Sequence, residues 1–131
     1  MADKRVAGDR FAFDDDVWAE EVQRLRASGA AHASAVTARA TIERTNARVA
    51  VRACDAEGPD GTRLGGCAKV YVPLEAEPSR APYALVFALR TDSTSGRVVL
   101  RFVACGERHP SRGRSVYERA HKRLHGRYPD Q

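Results

Sequence analysis

A chain of 131 residues, 43% of them hydrophobic and 30% charged, has the composition of one soluble globular domain with a single core. It is long enough to fold without disulfide staples. No apolar run approaches the roughly 20 residues of a membrane-spanning helix, and the N-terminus has no hydrophobic signal core, so a cytoplasmic protein without a membrane partner is expected. The three cysteines, Cys54, Cys67 and Cys105, form no C-x-x-C pair. They indicate neither a disulfide framework nor a zinc cluster, and each is read as a small apolar core residue.

The net charge of +5 is unevenly spread. Residues 1–62 hold nine Lys/Arg against eleven Asp/Glu, whereas residues 97–131 hold nine against three. A basic C-terminal segment predicts either a polyanionic partner or a solvated basic face. Arginine outnumbers lysine 19 to 3, which suits bidentate phosphate recognition.

Residues 1–13 show no period and read as a flexible lead-in, with Phe11 and Phe13 packing onto the body; a single domain follows over 14–131. Asp14-Asp15-Asp16 starts the first helix, because carboxylates there cap free N–H groups and face the positive end of the helix dipole. Val17, Trp18, Val22 and Leu25 recur at helical spacing, with Trp18 as a core anchor, and Ser28-Gly29 ends the helix. The alanine-rich stretch from residue 30 predicts a second helix ending near Glu57. A strand over 48–54 is the alternative, since that segment also alternates. Gly58-Pro59-Asp60-Gly61 is a stop, and Gly65-Gly66 extends the loop.

From Cys67 the period changes. Ala68–Leu74, Tyr83–Arg90 and Arg97–Cys105 read as strands, the last two joined by the polar turn Thr91–Gly96 into a hairpin. Being apolar on both faces they are expected at the centre of the sheet, with the helices covering one side. Ser115-Val-Tyr-Glu118 has capping-box spacing and opens a last helix, which Gly126 and Pro129 stop. The order α-α-β-β-β-α implies an α+β fold: two N-terminal helices packed on a small twisted antiparallel sheet, with a C-terminal helix.

No nucleotide-binding loop, dinucleotide fingerprint or Ser/His/Asp arrangement is present. His121 and His125 share a helix face, but Arg119, Lys122 and Arg123 surround them, which disfavours a metal ion. Glu107, Arg108, His109, Arg112, Arg114 and Tyr117 cluster at one strand-to-helix junction. RNA cleavage needs a base for the 2′-hydroxyl, cations for the phosphorane charge and an acid for the leaving 5′-oxygen. This cluster contains all three types without a metal or other cofactor.

The second half of the chain resembles the RelE/ParE toxin superfamily. Tyr83-Ala-Leu-Val-Phe87 is similar to its penultimate strand and Val98–Gly106-Glu-Arg108 to its last strand with the Gly-x-Arg ending. Ser115-Val-Tyr117 is similar to its C-terminal Val-Tyr, and Leu64-Gly-Gly-Cys-Ala-Lys69-Val-Tyr71 to the segment before them. The resemblance implies a toxin of a toxin–antitoxin pair, acting as a metal-independent, ribosome-associated mRNA endonuclease. Its partners would be an acidic cognate antitoxin, the ribosome and mRNA. Position by position, Lys69 matches the first sheet lysine, Arg108 the arginine after the last-strand glycine and Tyr117 the tyrosine. Tyr71 stands where the family has its second lysine, and Ala84 where it has a strand arginine. Some members use a Glu/His pair for acid–base work, which Glu107 with His109 or His121 would supply, and Lys69, Arg112, Arg114 and His121 are placed on the RNA. The alternatives are a ParE-like, non-catalytic inhibitor of DNA gyrase and a non-toxic nucleic-acid-binding domain of the same fold.

Overall fold

The computed structural model describes residues 10–45 and 49–131. Its elements run β1 (Arg10–Ala12), α1 (Asp15–Gln23), α2 (Gly29–Thr45), β2 (Arg52–Ala53), β3 (Cys67–Val72), β4 (Tyr83–Thr91), β5 (Val98–Glu107) and α3 (Val116–His125). The strands form one sheet in the order β1-β5-β4-β3-β2. β1 runs parallel to β5, and every other neighbouring pair is antiparallel.

The local signals act as their chemistry dictates. The Asp14 carboxylate accepts hydrogen bonds from the N–H groups of Asp16 and Val17 and so caps α1. Ser115 and Glu118 form a complete capping box on α3, and Gly126 closes that helix in the left-handed conformation, φ 79°. β4 and β5 pair as a hairpin from Tyr83↔Glu107 to Thr91↔Val98.

The α+β class expected from the sequence holds, with three particulars corrected. Among the described residues a strand, not a helix, comes first. Residues 1–9 of the expected lead-in lie outside the described residues, but Arg10–Ala12 pair with Val99–Arg101 and make the sheet mixed rather than antiparallel. Aromatic packing holds this strand in place. Phe11 meets Phe87 edge-on at 5.0 Å, and Phe13 lies between Trp18 and Phe102, each at 5.5 Å. Second, α2 ends at Thr45 rather than near Glu57, and the strand alternative is realised in the two residues Arg52–Ala53. Val51 beside them is buried in the core, which suits a β-branched residue in extended chain.

Third, helices cover both faces of the sheet rather than one. Ala68, Val70, Val72, Leu85, Phe87, Leu100 and Phe102 pack against α1 and α2. Cys67, Tyr71, Ala84, Val86, Val103 and Ala104 pack with Val116 and Ala120 of α3. Strand alternation produces this division, and the register shift at Val86/Phe87 places Val103 opposite no residue of β4.

β5 extends past the end of β1, so among the described residues its edge at Cys105 has no strand partner on that side. Side chains take the partner's place. The Glu21 carboxylate of α1 accepts from the Cys105 N–H at 3.1 Å, and Arg119 of α3 donates to the Cys105 carbonyl. Arg119 also donates to Glu21 at 2.6 Å, and Arg123 to the other Glu21 oxygen at 3.1 Å. The two helices on opposite faces are thereby bolted together around the strand edge. Gly106 makes room for the bolt: a Cβ there would lie 2.9 Å from an Arg119 nitrogen.

Candidate functional site

A cleft of about 390 Å³ opens between the loop that joins β2 to β3 and the junction of β5 with α3. One wall carries Lys69, Arg108, His109 and Tyr117. The other is made by the loop residues Cys54, Asp55, Gly58, Pro59, Asp60, Thr62 and Leu64.

Each cationic-wall residue arrives there for a local reason. Lys69 and Tyr71 are two apart on β3 and so share the α3-facing side of the sheet. Arg108 follows the last residue of β5, and its N–H donates to the Pro82 carbonyl, which prolongs the ladder by one residue. Tyr117 stands in the first turn of α3, fixed by the capping box immediately before it.

Arg108 is held from several sides. Its guanidinium stacks on the Tyr71 ring at 4.2 Å. Its Nε donates to Tyr117 Oη at 3.1 Å, and one Nη donates to the Pro78 and Ala81 carbonyls at 2.9 and 3.0 Å. Among the described residues it has no carboxylate within ion-pair distance. Lys69, only 8% exposed, places its ammonium 5.3 Å from the Tyr71 ring centre and 5.5 Å from that of Tyr117. Two cations are thus gathered on aromatic faces at the floor of the cleft.

Burial pushes the Tyr117 hydroxyl above its usual pKa of about 10, against the opposing pull of Arg108 and Lys69. Its oxygen already accepts from Arg108, so its own proton is left to donate elsewhere. Tyr117 is therefore fitted to be a hydrogen-bond donor or a general acid, and poorly fitted to be a base at neutral pH. His109 sits exposed at the mouth of the same cleft.

Of the residues singled out in the sequence, Lys69, Arg108, His109 and Tyr117 come together, although they span four dozen positions. The other four do not line the cleft. Glu107 is exposed and, by alternation with Gly106, shares the face of Cys105 on the opposite side of the sheet. Arg112 is exposed in the loop before α3. Arg114 bonds Glu118 and Asp130, both at 3.1 Å, and stacks on Tyr128 at 4.1 Å. His121 is buried, and its Nδ1 accepts from the Arg63 N–H at 2.9 Å, so it holds backbone rather than facing a polyanion. The basic excess of the C-terminal segment is likewise partly consumed internally, since Arg119 and Arg123 pair with the acidic turn Glu20-Glu21 of α1.

Sequence reasoning missed the loop wall, because Gly58–Gly61 reads as a stop and gives no sign of folding back over β3. It flagged Tyr71 only as a missing lysine, whereas the ring supports Arg108 and neighbours Lys69. Ala84, the other departure, is fully buried in the apolar cluster with Val116 and Ala120 of α3, where an arginine would have to bury its charge.

Fold and site together define an α+β domain with a cation-floored, tyrosine-bearing cleft. In comparisons with known proteins, no family model, curated protein or solved structure matches this chain.

Proposed function

We propose that this chain is a RelE/ParE-like toxin that cleaves mRNA at the ribosome without a metal ion. The observation that carries the proposal is the convergence of Lys69, Arg108 and Tyr117 in one cleft. These are the three positions that match the family's motif, and Arg108 and Tyr117 also belong to the basic cluster read from the residues themselves. The cleft is large enough for a nucleotide and its flanking phosphate.

In this reaction His109 takes the proton of the 2′-hydroxyl, whose oxygen attacks the adjacent phosphorus. Lys69 and Arg108 stabilise the negative charge that grows on the phosphorane oxygens; being fixed beforehand, they need little reorganisation. Tyr117 gives its proton to the departing 5′-oxygen, leaving a 2′,3′-cyclic phosphate and a 5′-hydroxyl end. An acidic antitoxin would neutralise the cleft, and a cytoplasmic setting follows from the ribosomal target.

Induced expression of the wild type is expected to arrest growth, and Lys69→Ala, Arg108→Ala and Tyr117→Phe to relieve the arrest at equal protein level. Arrest by all three variants as strong as that by the wild type would remove the cleft from the mechanism. Supercoiling defects with intact mRNA would instead select the gyrase-inhibitor alternative. Salt-sensitive RNA or DNA binding without arrest would select the nucleic-acid-binding one.

A further inference from the structure

Two histidines one turn apart on α3 grip the main chain of a single residue of the cleft loop. The Arg63 N–H donates to His121 Nδ1 at 2.9 Å. His125 Nε2 lies 3.0 Å from the Arg63 carbonyl oxygen, which only accepts, so His125 is the donor there. The two rings are 4.5 Å apart. Arg63 forms a β-bridge with Glu57, and Gly58 N–H bonds the Thr62 carbonyl. The grip therefore holds a small closed hairpin, and that hairpin supplies most of the loop wall of the cleft.

We propose that His121 and His125 are positioning residues that latch this loop over the cleft, and that proton uptake by His121 opens one arm of the latch. The inference concerns the loop and is independent of what the cleft binds.

The two arms differ in their response to acid. An imidazole accepts an N–H only while that nitrogen carries a lone pair, so His121 must be neutral, with its proton on Nε2, to hold Arg63. Protonation sets N–H against N–H and breaks this arm. His125 donates in either protonation state, so its arm persists. The surroundings of His121 reinforce the neutral form. It is 5% exposed, and the charges facing it are Arg63 and Asp60 from the loop, His125 from its own helix and Arg127 just beyond. Burial, then His125, Arg63 and Arg127, hold its pKa below the ordinary value, and Asp60 alone opposes them. The open loop, with His121 free to titrate normally near 6.5, binds the proton more readily than the closed one. The latch is therefore fully present above about pH 6.5 and is lost as the pH falls through the depressed value.

The test is amide hydrogen exchange on the full chain at pH 7.5 and 5.0, with rates corrected for intrinsic exchange. Protection of Arg63 is expected to fall about tenfold between the two pH values, while Leu85 and Phe87 in β4 keep theirs. His121→Gln retains an acceptor that does not titrate, and should show the same Arg63 protection at both pH values. His125→Leu removes the donor to the Arg63 carbonyl and should lower Arg63 protection at both pH values. Arg63 protection that is independent of pH in the wild type, or equally pH-dependent in His121→Gln, overturns the proposal. Imidazole nitrogen shifts provide a check that needs no variant: the Nε2–H tautomer of His121 is expected at pH 7.5, and the Nδ1–H tautomer contradicts the latch.

Discussion

Glu21→Ala is the substitution whose cost the structure defines best. The Glu21 side chain is 2% exposed and its two oxygens accept hydrogen bonds from three partners, the Cys105 N–H, Arg119 and Arg123, with Arg24 a looser ion pair at 3.8 Å. Removing the carboxylate orphans a buried N–H, which costs about 1–3 kcal/mol. It also leaves the Arg119 guanidinium, 13% exposed, without its countercharge. Removing one partner of a buried pair costs about 3–5 kcal/mol in total. For a chain of this length each kcal/mol corresponds to about 3–5 °C in Tm, so a fall of roughly 10–20 °C is expected. Thermal melts at pH 7, paired with urea titrations, measure it. Glu21→Gln keeps an acceptor for Cys105 and should fall between the two. Glu21→Leu with Arg119→Met removes both charges and should cost less than Glu21→Ala alone, because no buried charge is left unpaired. A loss below about 1 kcal/mol for Glu21→Ala would mean that the pair behaves as an exposed one, and that side chains do not stand in for a strand at the β5 edge.

Three further outcomes follow from particular groups. Ser115→Ala removes the side-chain acceptor of the α3 capping box, and a loss of about 1 kcal/mol is expected in urea unfolding. Tyr117 has a raised pKa in the folded protein, so its contribution is intact below about pH 10 and is lost as the pH rises from there through the folded value. Tyr117→Phe should flatten that alkaline decline in a pH series of melts. Burial pushes the Cys105 thiol up to about 12, with Glu21 adding to the shift and Arg119 opposing it, and burial also raises Cys67. Both should resist alkylation at pH 8 in the native protein and react on unfolding, as followed by mass spectrometry.

What the sequence disclosed was governed by distance along the chain. The Asp14 cap, the Ser115–Glu118 box and the β4–β5 hairpin depend on residues a few positions apart, and all three are where the sequence places them. Strand β1 escaped detection because three residues carry no period and its partners Val99–Arg101 lie almost ninety positions away. The helical expectation past Thr45 followed alanine propensity, which yields when Val51 can be buried beside a sheet edge. The site divides in the same manner. Arg108 and Glu107 are adjacent in extended chain, so alternation alone separates them to opposite faces. Arg114 and Glu118 stand at i,i+4 spacing and pair accordingly. By contrast, nothing local indicated that Arg119 and Arg123 would be drawn to Glu21, or that His121 would spend its ring on the backbone of Arg63. Basic residues therefore look more available in sequence than they are in the fold.

The most direct measurement on the central claim is sequencing of RNA 5′ ends after brief induction of the wild type and of Tyr117→Phe. New 5′-hydroxyl ends inside translated coding regions are expected with the wild type. Tyr117→Phe should reduce their formation by about two to four orders of magnitude, the usual contribution of a general acid. An unchanged set of 5′ ends after wild-type induction, or the same new ends formed as fast by Tyr117→Phe, would contradict the account.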